Sequence, residues 1–284
     1  MSTEVLETPE QTIARVVASA ERRLTPCGDG HMVSHIWGSG PPLVLLHGNF
    51  GSWMHWIRNV EALGRHYRVI AVDIPGFGDS DIPPEPYSFH SISGIIAAGL
   101  IEIVGDEKIN LVGFSFGAAT SAETANTLGE RMRKLVLVSA GRNMTGITRP
   151  AMDEFVKWRG FETRAERDAA HQRNLEVIMI ANPSRIDPLA ITIQRTNAER
   201  ARLRAAPVRK DASTQMHVPN LKCGVAFIWG ERDSTIGPHL DERPAWIRKF
   251  RPDARHTIIP DAGHWAAYEQ PERFNEAMID LLRH

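Results

Sequence analysis

The sequence predicts an α/β protein with a mostly parallel central sheet, flanked by helices and interrupted by an inserted helical cap. Short, mostly apolar runs recur along the chain, each ended by glycine, proline or a polar turn. Intervals of about 20–40 residues separate most of these runs, which is the room that parallel crossover helices need. Residues 142–216 interrupt this alternation of strands and helices, because they contain no apolar run typical of a strand and resemble arginine-rich helices.

The apolar runs are four or five residues long and do not alternate with polar residues. Such runs are typical of strands buried on both faces of a sheet that helices cover. A further strand over residues 31–37 could pair antiparallel with one near Leu24 at the edge. The predicted strands of the parallel part cover residues 43–46, 69–72, 109–112, 135–138, 225–229 and 256–259.

The interruption predicts the domain organisation. Residues 1–141 and 217–284 would form the two parts of one α/β core, and residues 142–216 a helical cap over the carboxyl edge of the sheet. The predicted cap holds 14 Lys and Arg residues against 9 Asp and Glu residues, so it is basic although the whole chain is not.

The composition restricts the partners. The 33 basic and 34 acidic residues give a formal charge of −1, whereas proteins that coat nucleic acid or an anionic membrane need a basic excess. Cys27 and Cys223 are too few for a disulfide framework or a thiolate metal site. The first residues lack the order of a signal peptide, and no apolar run approaches a membrane span. We expect a cytoplasmic protein that acts on a small-molecule substrate. The sequence leaves open whether the protein forms a homo-oligomer.

The nucleophile candidate is Ser115. Residues 113–117 have the sequence Gly-Phe-Ser-Phe-Gly, directly after one predicted strand and before a good helical sequence. A serine on such an elbow is held in a strained conformation with its oxygen exposed, and small neighbours make the sharp turn possible. The alternative is a plain glycine-rich turn between a strand and a helix.

The base candidate is His264. A serine hydroxyl needs a base to take its proton, and His264 follows the last predicted strand, at the same sheet edge as Ser115. His47 is its main competitor, although its place before Gly48 suits the loop that binds the oxyanion.

The acid candidate is Asp233. The base needs a carboxylate that fixes its tautomer, and Asp233 follows the strand over residues 225–229. Glu231 is the nearby alternative.

The developing oxyanion needs two backbone N–H donors. One is predicted to be Phe116, the residue after the nucleophile. The other would come from the loop after the strand over residues 43–46, with Asn49 preferred and Phe50 as the alternative.

Five motifs in this order resemble the α/β-hydrolase fold family. They are the segments 47–51 (His-Gly-Asn-Phe-Gly), 73–80 (Asp-Ile-Pro-Gly-Phe-Gly-Asp-Ser), 113–117, 229–233 (Trp-Gly-Glu-Arg-Asp) and 263–265 (Gly-His-Trp). The resemblance implies that the inserted segment roofs the active site and shapes its pocket. It also implies that the aspartates of residues 73–80 serve a structural turn.

Within the family, two kinds of enzyme are similar to this chain. Ser115 disfavours haloalkane dehalogenases and epoxide hydrolases, whose members carry aspartate there. The sequence after Gly263 is similar to that of meta-cleavage-product hydrolases, which break a carbon–carbon bond in dienoate diketo acids and use a cap arginine that Arg195 could represent. Phe114 stands where those enzymes have asparagine, and the loop after His47 is shorter, which favours carboxylesterases.

The sequence therefore predicts a serine hydrolase that needs no cofactor or metal and acts on small esters with an apolar group. Carbon–carbon bond hydrolysis is the second hypothesis, and a non-catalytic ligand-binding protein of the same fold is the third. Phe50, Phe114, Arg195 and Trp265 are the candidate substrate-binding residues. Trp53 and Trp56 could extend the apolar pocket, although core packing is the favoured interpretation for both.

Overall fold

Eight strands form one sheet: β1 (Glu21–Cys27), β2 (Gly30–Trp37), β3 (Pro42–Leu46), β4 (Arg68–Val72), β5 (Ile109–Phe114), β6 (Met132–Val138), β7 (Gly224–Gly230) and β8 (Arg255–Ile259). Their order across the sheet is β1-β2-β4-β3-β5-β6-β7-β8. The computed structural model of the chain describes residues 7–140, 154–203 and 217–284. β2 pairs antiparallel with both β1 and β4, and all pairs from β4 to β8 are parallel.

Helices cover both faces of this sheet. The α-helices are α1 (Pro9–Ala18), α2 (Val60–Leu63), α3 (Phe89–Val104), α4 (Phe116–Leu128), α5 (Arg164–Asn174), α6 (Pro188–Arg200), α7 (Glu242–Arg248), α8 (Ala266–Glu269) and α9 (Pro271–Arg283). A turn of π-helix follows α5 over Leu175–Met179. The mostly parallel α/β class predicted from the sequence is confirmed.

The sheet divides the hydrophobic core into two layers. Val44 and Leu46 of β3 pack into a cluster with α3 and α4, while Leu43 and Leu45 pack into a second cluster with α9. Because neighbouring residues of one strand face opposite layers, both sets must be apolar. This is why the central strands are continuous apolar runs.

The described part of the predicted cap, residues 154–203, is helical. Two of its helices begin with side-chain caps: Thr163 forms a capping box with Glu166, and Asp187 accepts the N–H of Ala190. The first and last residues of the predicted cap, 142 and 216, lie outside the described residues, so its boundaries stay a prediction.

Two hydrogen bonds and an ion pair hold the end of this helical segment to the core. The backbone N–H groups of Arg202 and Leu203 donate to the Gly76 carbonyl, at 2.9 and 3.0 Å. Arg200 is paired with Asp79, at 2.8 Å between Nη1 and Oδ1. The segment is therefore fastened to the loop that follows β4.

Candidate active site

Ser115 lies between β5 and α4 in a strained backbone conformation. Its φ is +53° and its ψ is −106°, and its N–H donates to the Val138 carbonyl at 2.9 Å. A non-glycine residue in such a region costs about 1–3 kcal/mol, which the surrounding structure must supply. The turn therefore projects a serine from the carboxyl edge of the sheet.

The glycines on either side make this elbow possible. A Cβ on Gly113 would lie 2.2 Å from the Gly117 carbonyl oxygen, and a Cβ on Gly117 would lie 2.4 Å from that of Leu46. Neither position has room for a side chain. The spacing of these glycines about Ser115 thus reflects the close approach of α4 to β3 and β5.

The structure brings Ser115, His264 and Asp233 into one hydrogen-bonded row. Ser115 Oγ is 2.9 Å from His264 Nε2, and His264 Nδ1 is 2.9 Å from Asp233 Oδ2 and 3.0 Å from Oδ1. An ionised carboxylate can only accept, so Nδ1 carries the proton and Nε2 is left to accept the Ser115 hydroxyl. His264 and Asp233 are each 3% exposed.

Thr235, which the sequence analysis did not identify, completes the environment of Asp233. Its backbone N–H and its hydroxyl donate to Asp233 Oδ1, at 2.8 and 2.7 Å. Burial raises the pKa of Asp233, but the charge of His264 and the hydrogen bonds from His264 and Thr235 outweigh it, so the pKa lies below its ordinary value. The carboxylate is ionised at neutral pH.

The His264 loop is fixed by two further hydrogen bonds from outside it. Ser139, directly after β6 and at φ +49°, donates from Oγ to the His264 carbonyl at 2.9 Å. The N–H of Trp265 donates to the Met179 carbonyl at 2.7 Å. Neither Ser139 nor Met179 was predicted, because nothing near them in the sequence indicates a partner so distant along the chain.

The two alternatives for base and acid have other partners. His47 donates from Nδ1 to the Gly48 carbonyl at 2.7 Å and accepts the Ile74 N–H on Nε2 at 2.9 Å. Burial lowers the pKa of His47 to about 4. Glu231 accepts the Asp261 N–H at 2.9 Å. Both ring nitrogens of His47 are therefore hydrogen-bonded to backbone groups, and Glu231 stabilises the turn after β8.

The loop after β3, which carries Asn49 and Phe50, lies beside Ser115. A Cβ on Gly48 would be 3.5 Å from Ser115 Cβ, and the Gly48 N–H donates to His55 Nδ1 at 3.2 Å. Phe50 adopts a φ of +50°, so the loop turns sharply at that point. The neighbourhood fits backbone donors near Ser115, and their role in binding an oxyanion stays a prediction.

Two candidate pocket aromatics flank the histidine. The Phe114 ring lies 5.0 Å from the His264 ring, and Trp265 is fully buried, with Nε1 donating to the His55 carbonyl at 2.8 Å. Trp53 and Trp56 are also buried in the core layer of α9. Core packing, the favoured interpretation for Trp53 and Trp56, agrees with this burial.

Arg195 is paired inside the helical segment. It lies on α6, is 8% exposed and forms a short ion pair with Asp168 of α5. A buried guanidinium needs a partner, and Asp168 supplies one without a substrate. Its predicted role as a carboxylate ligand would have to compete with this pair.

Within the described ranges, one group of side chains places three candidate metal-ligand atoms within 4.8 Å of one another: His35, Asp73 and Asp79. Asp73 already accepts the N–H groups of Trp53 and Asp79, at 2.7 and 2.9 Å, and Asp79 is paired with Arg200. Both carboxylates thus have partners within the chain, although burial outweighs the two N–H donors and raises the pKa of Asp73 to about 7. The backbone hydrogen bonds of Asp73 agree with the structural turn that the family resemblance implies, and that role stays a prediction.

Comparisons with known proteins agree with this architecture. Residues 41–271 match the family model described as alpha/beta hydrolase fold. The chain is 28% identical over 251 residues to a 2-hydroxy-6-oxononadienedioate/2-hydroxy-6-oxononatrienedioate hydrolase of Paraburkholderia phymatum, covering 84% of this chain and 86% of that protein. It is 27% identical over 258 residues to a 2-hydroxy-6-oxo-6-phenylhexa-2,4-dienoate hydrolase of Comamonas testosteroni, covering 87% and 89%.

A solved esterase from Rhodococcus sp. has the same fold, with a TM-score of 0.77 at 22% identity over 93% of this chain and 98% of that one. Among the helices of residues 7–140, 154–203 and 217–284, none combines the length and the apolar character that a membrane span requires. The prediction of a hydrolase is confirmed by the named relatives. Since the family model covers most of its length, the chain belongs to the alpha/beta hydrolase fold family.

Proposed function

We propose that this protein is a serine hydrolase of small carboxylic esters that carry an apolar group. The observation that carries the proposal is the row of hydrogen bonds from Ser115 Oγ through His264 to Asp233, with 2.9 Å between Ser115 Oγ and His264 Nε2. A serine within this distance of an oriented imidazole can lose its proton as it attacks.

The first half of the reaction forms an acyl-enzyme. Ser115 Oγ attacks the ester carbonyl carbon while His264 Nε2 takes the hydroxyl proton, and Asp233 stabilises the imidazolium that forms. The backbone N–H groups of Phe116 and Asn49 stabilise the negative charge on the carbonyl oxygen. The C–O bond then breaks, and the leaving alcohol takes the proton from His264 Nε2.

The second half releases the acid. Water attacks the acyl carbon while His264 Nε2 takes one of its protons, and the bond to Ser115 Oγ breaks as that proton passes to Ser115. The enzyme returns to its starting state with one ester and one water consumed. The low pKa of Asp233 supports this cycle, because the carboxylate stays charged while His264 alternates.

An ester substrate is favoured by the residues near the row. The Phe114 ring beside His264 is buried, so accessible apolar surface near the row comes from Phe50, a partly exposed side chain on the loop of Asn49. Arg195 is neutralised by Asp168, so the helical segment does not present this arginine as a free cation to a carboxylate.

Carbon–carbon bond hydrolysis of dienoate diketo acids is the second candidate. The relatives from Paraburkholderia phymatum and Comamonas testosteroni carry the names of such hydrolases, at 28% and 27% identity over most of the chain. In this case Arg195 would leave Asp168 to bind the substrate carboxylate.

A parallel assay separates the two candidates. Purified wild type, Ser115→Ala and Arg195→Ala would be tested on p-nitrophenyl acetate and butyrate and on a phenyl-substituted hydroxy-oxo-dienoate. We expect ester turnover that Ser115→Ala abolishes and Arg195→Ala changes less than about threefold, together with fluorophosphonate labelling of wild type at Ser115. Dienoate cleavage that falls with Arg195→Ala would favour the second candidate.

The third hypothesis, a ligand-binding protein without turnover, predicts no labelling and no hydrolysis of either substrate class. Full ester turnover by Ser115→Ala would show that Ser115 is not the nucleophile. These outcomes differ from one another, so one set of measurements decides among the three.

A further inference from the structure

Glu269 is a buried carboxylate that the proposed chemical steps do not use. It ends α8 and is 0% exposed. Its Oε2 accepts the N–H groups of Gly263 and Ala181, at 2.7 and 3.0 Å, and its Oε1 accepts the N–H of Asn182 at 2.8 Å. Hydrogen bonds to an ionised acceptor are stronger than neutral ones, and a buried charge cannot give them up without cost.

These three N–H groups come from two parts of the chain. Gly263 directly precedes His264, whereas Ala181 and Asn182 belong to the helical segment, between its π-turn and α6. One side chain therefore ties the loop that carries His264 to the segment expected to roof the site.

The contact between these two parts is tight. A Cβ on Gly263 would lie 2.7 Å from the Ala181 nitrogen and 2.9 Å from the Met179 carbonyl oxygen. On its other side, a Cβ on Gly230 at the end of β7 would lie 2.1 Å from the Gly263 carbonyl oxygen. The His264 loop is thus held between β7 and the helical segment, with glycine at both points of closest approach.

The helical segment also contacts the loop that carries Asp233, the proposed acid. Ser234, next to Asp233, donates from Oγ to the Ile178 carbonyl at 3.0 Å, and the Trp265 N–H donates to the Met179 carbonyl at 2.7 Å. Residues 178–182 therefore contact the chain on both sides of His264 and beside Asp233. A shift of this segment would move the base and its acid relative to Ser115, which is fixed separately between β5 and α4.

We propose that Glu269 is a positioning residue, which sets His264 relative to Ser115 and makes that alignment depend on the seating of the helical segment. The inference rests on the proposed function, because it assigns Glu269 a part in the same reaction. Reacting groups lose rate steeply when they are displaced by about 1 Å, so loss of this anchor lowers turnover more than it weakens substrate binding.

Glu269→Gln is the informative change, because it keeps the shape of the side chain. If its amide oxygen faces Gly263 and Ala181, its NH₂ group meets the N–H of Asn182, donor against donor. The matched control is Asp79→Asn. It removes the carboxylate that pairs with Arg200 at the other end of the helical segment, away from the His264 loop.

The experiment measures kcat and KM for p-nitrophenyl butyrate, the rate of fluorophosphonate labelling and the melting temperature of wild type and both variants. We expect Glu269→Gln to lower kcat and the labelling rate at least tenfold, with KM changed less than twofold at a temperature where it is folded. Asp79→Asn should stay within twofold of wild type in kcat and labelling rate.

A Glu269→Gln variant with wild-type kcat and labelling rate would overturn the proposal, as would a rise in KM alone, which would make Glu269 only an anchor of the helical segment. If Glu269→Gln does not fold, Glu269→Asp keeps the charge on a shorter side chain. It should lower kcat at least threefold at unchanged KM, and wild-type kcat in that variant would overturn the proposal. Failure of the proposed function would appear separately, as a wild type that is not labelled at Ser115.

Discussion

Asp233 receives both hydrogen bonds from Thr235, the backbone N–H at 2.8 Å and the hydroxyl at 2.7 Å, on the same oxygen, Oδ1. Because both Thr235 donors point to Oδ1, a side chain at position 233 must present a hydrogen-bond acceptor at that place. They therefore determine how an amide would be oriented in place of the carboxylate.

Asp233→Asn is expected to place its amide oxygen at the two Thr235 donors and its NH₂ group against His264 Nδ1. The NH₂ group, in the place of Oδ2 at 2.9 Å, favours the tautomer in which Nδ1 accepts, in competition with donation from Nδ1 to the amide oxygen at 3.0 Å. In that tautomer the proton is on Nε2, and the imidazole can no longer take the Ser115 proton. We expect kcat to fall by about 10⁴-fold, the order of magnitude known for this kind of tautomer change. Ester turnover within tenfold of wild type would contradict the assigned role of Asp233.

Thr235→Val removes the hydroxyl and keeps both the branched shape and the backbone N–H. The remaining donors hold Asp233 less firmly, and loss of a hydrogen bond to a charged group is worth about 1.5–3 kcal/mol. We expect kcat to fall about tenfold with little change in KM, measured by steady-state ester hydrolysis. Thr235→Ser, which restores the hydroxyl, should recover most of the activity; equal activity in Val and Ser variants would disprove a role for the hydroxyl.

Gly117→Ala should destabilise the protein by about 1–3 kcal/mol, the usual cost of inserting a group where there is no room. Its Cβ would lie 2.4 Å from the Leu46 carbonyl oxygen, so α4 or β3 must shift, and Ser115 shifts with α4. Urea denaturation gives the free energy of unfolding. The matched control is Gly94→Ala in α3, where no atom lies within 4 Å of the new Cβ.

The control should stabilise the protein by about 0.5–1 kcal/mol, because alanine favours a helix over glycine. If the two alanine variants had the same stability, the close approach at Gly117 would not be a constraint of the fold.

The buried histidines predict a loss of stability in mild acid. Burial lowers the pKa of His47 to about 4, below the value of about 6.5 that it takes when unfolded. The unfolded state therefore binds a proton first, and the stability contributed by neutral His47 is full above about pH 6.5 and is lost as pH falls toward 4. Between pH 7.5 and pH 5, this contribution falls by about 2 kcal/mol.

His47→Gln tests this, because an amide can still accept the Ile74 N–H and donate to the Gly48 carbonyl. Urea denaturation between pH 7.5 and 5 should show a shallower decline of the free energy of unfolding in the variant than in wild type. His35 and His171, whose pKa values burial also lowers to about 4, leave part of the decline in place, whereas the pKa of Asp73, which burial raises to about 7, offsets part of it in both proteins. If the free energy of unfolding declined equally with falling pH in the variant and in wild type, His47 would not contribute to the decline.

The sequence predicted the features that depend on neighbouring residues. The alternating faces of Leu43 and Val44 require a continuous apolar strand, and the strained turn at Ser115 requires small residues beside it. These constraints are local, so they appear in the sequence as short patterns.

The contacts of Thr235 and Glu269 are features that the sequence analysis missed. Thr235 stands two residues after Asp233, where a side chain that caps the carboxylate could have been expected. Glu269 lies 88 positions from its partner Ala181 along the chain, and no periodicity or motif encodes such a pairing. The ion pair of Arg195 with Asp168 was missed for the same reason, since the sequence does not reveal how α5 packs on α6.

The Ser115–His264 contact joins residues that are 149 positions apart, one after β5 and the other after β8, on either side of the helical segment in the sequence. During synthesis, the serine elbow can form on β3, β5 and β6 while the chain that carries its histidine is still inside the ribosome. Under the proposed mechanism, Ser115 therefore has no base until β7, β8 and the His264 loop dock, so the nascent chain cannot use that serine before residue 264 is available. Late, long-range strand pairing also makes folding slow and leaves the edge of β6 uncovered in the meantime, a surface on which a chaperone could act.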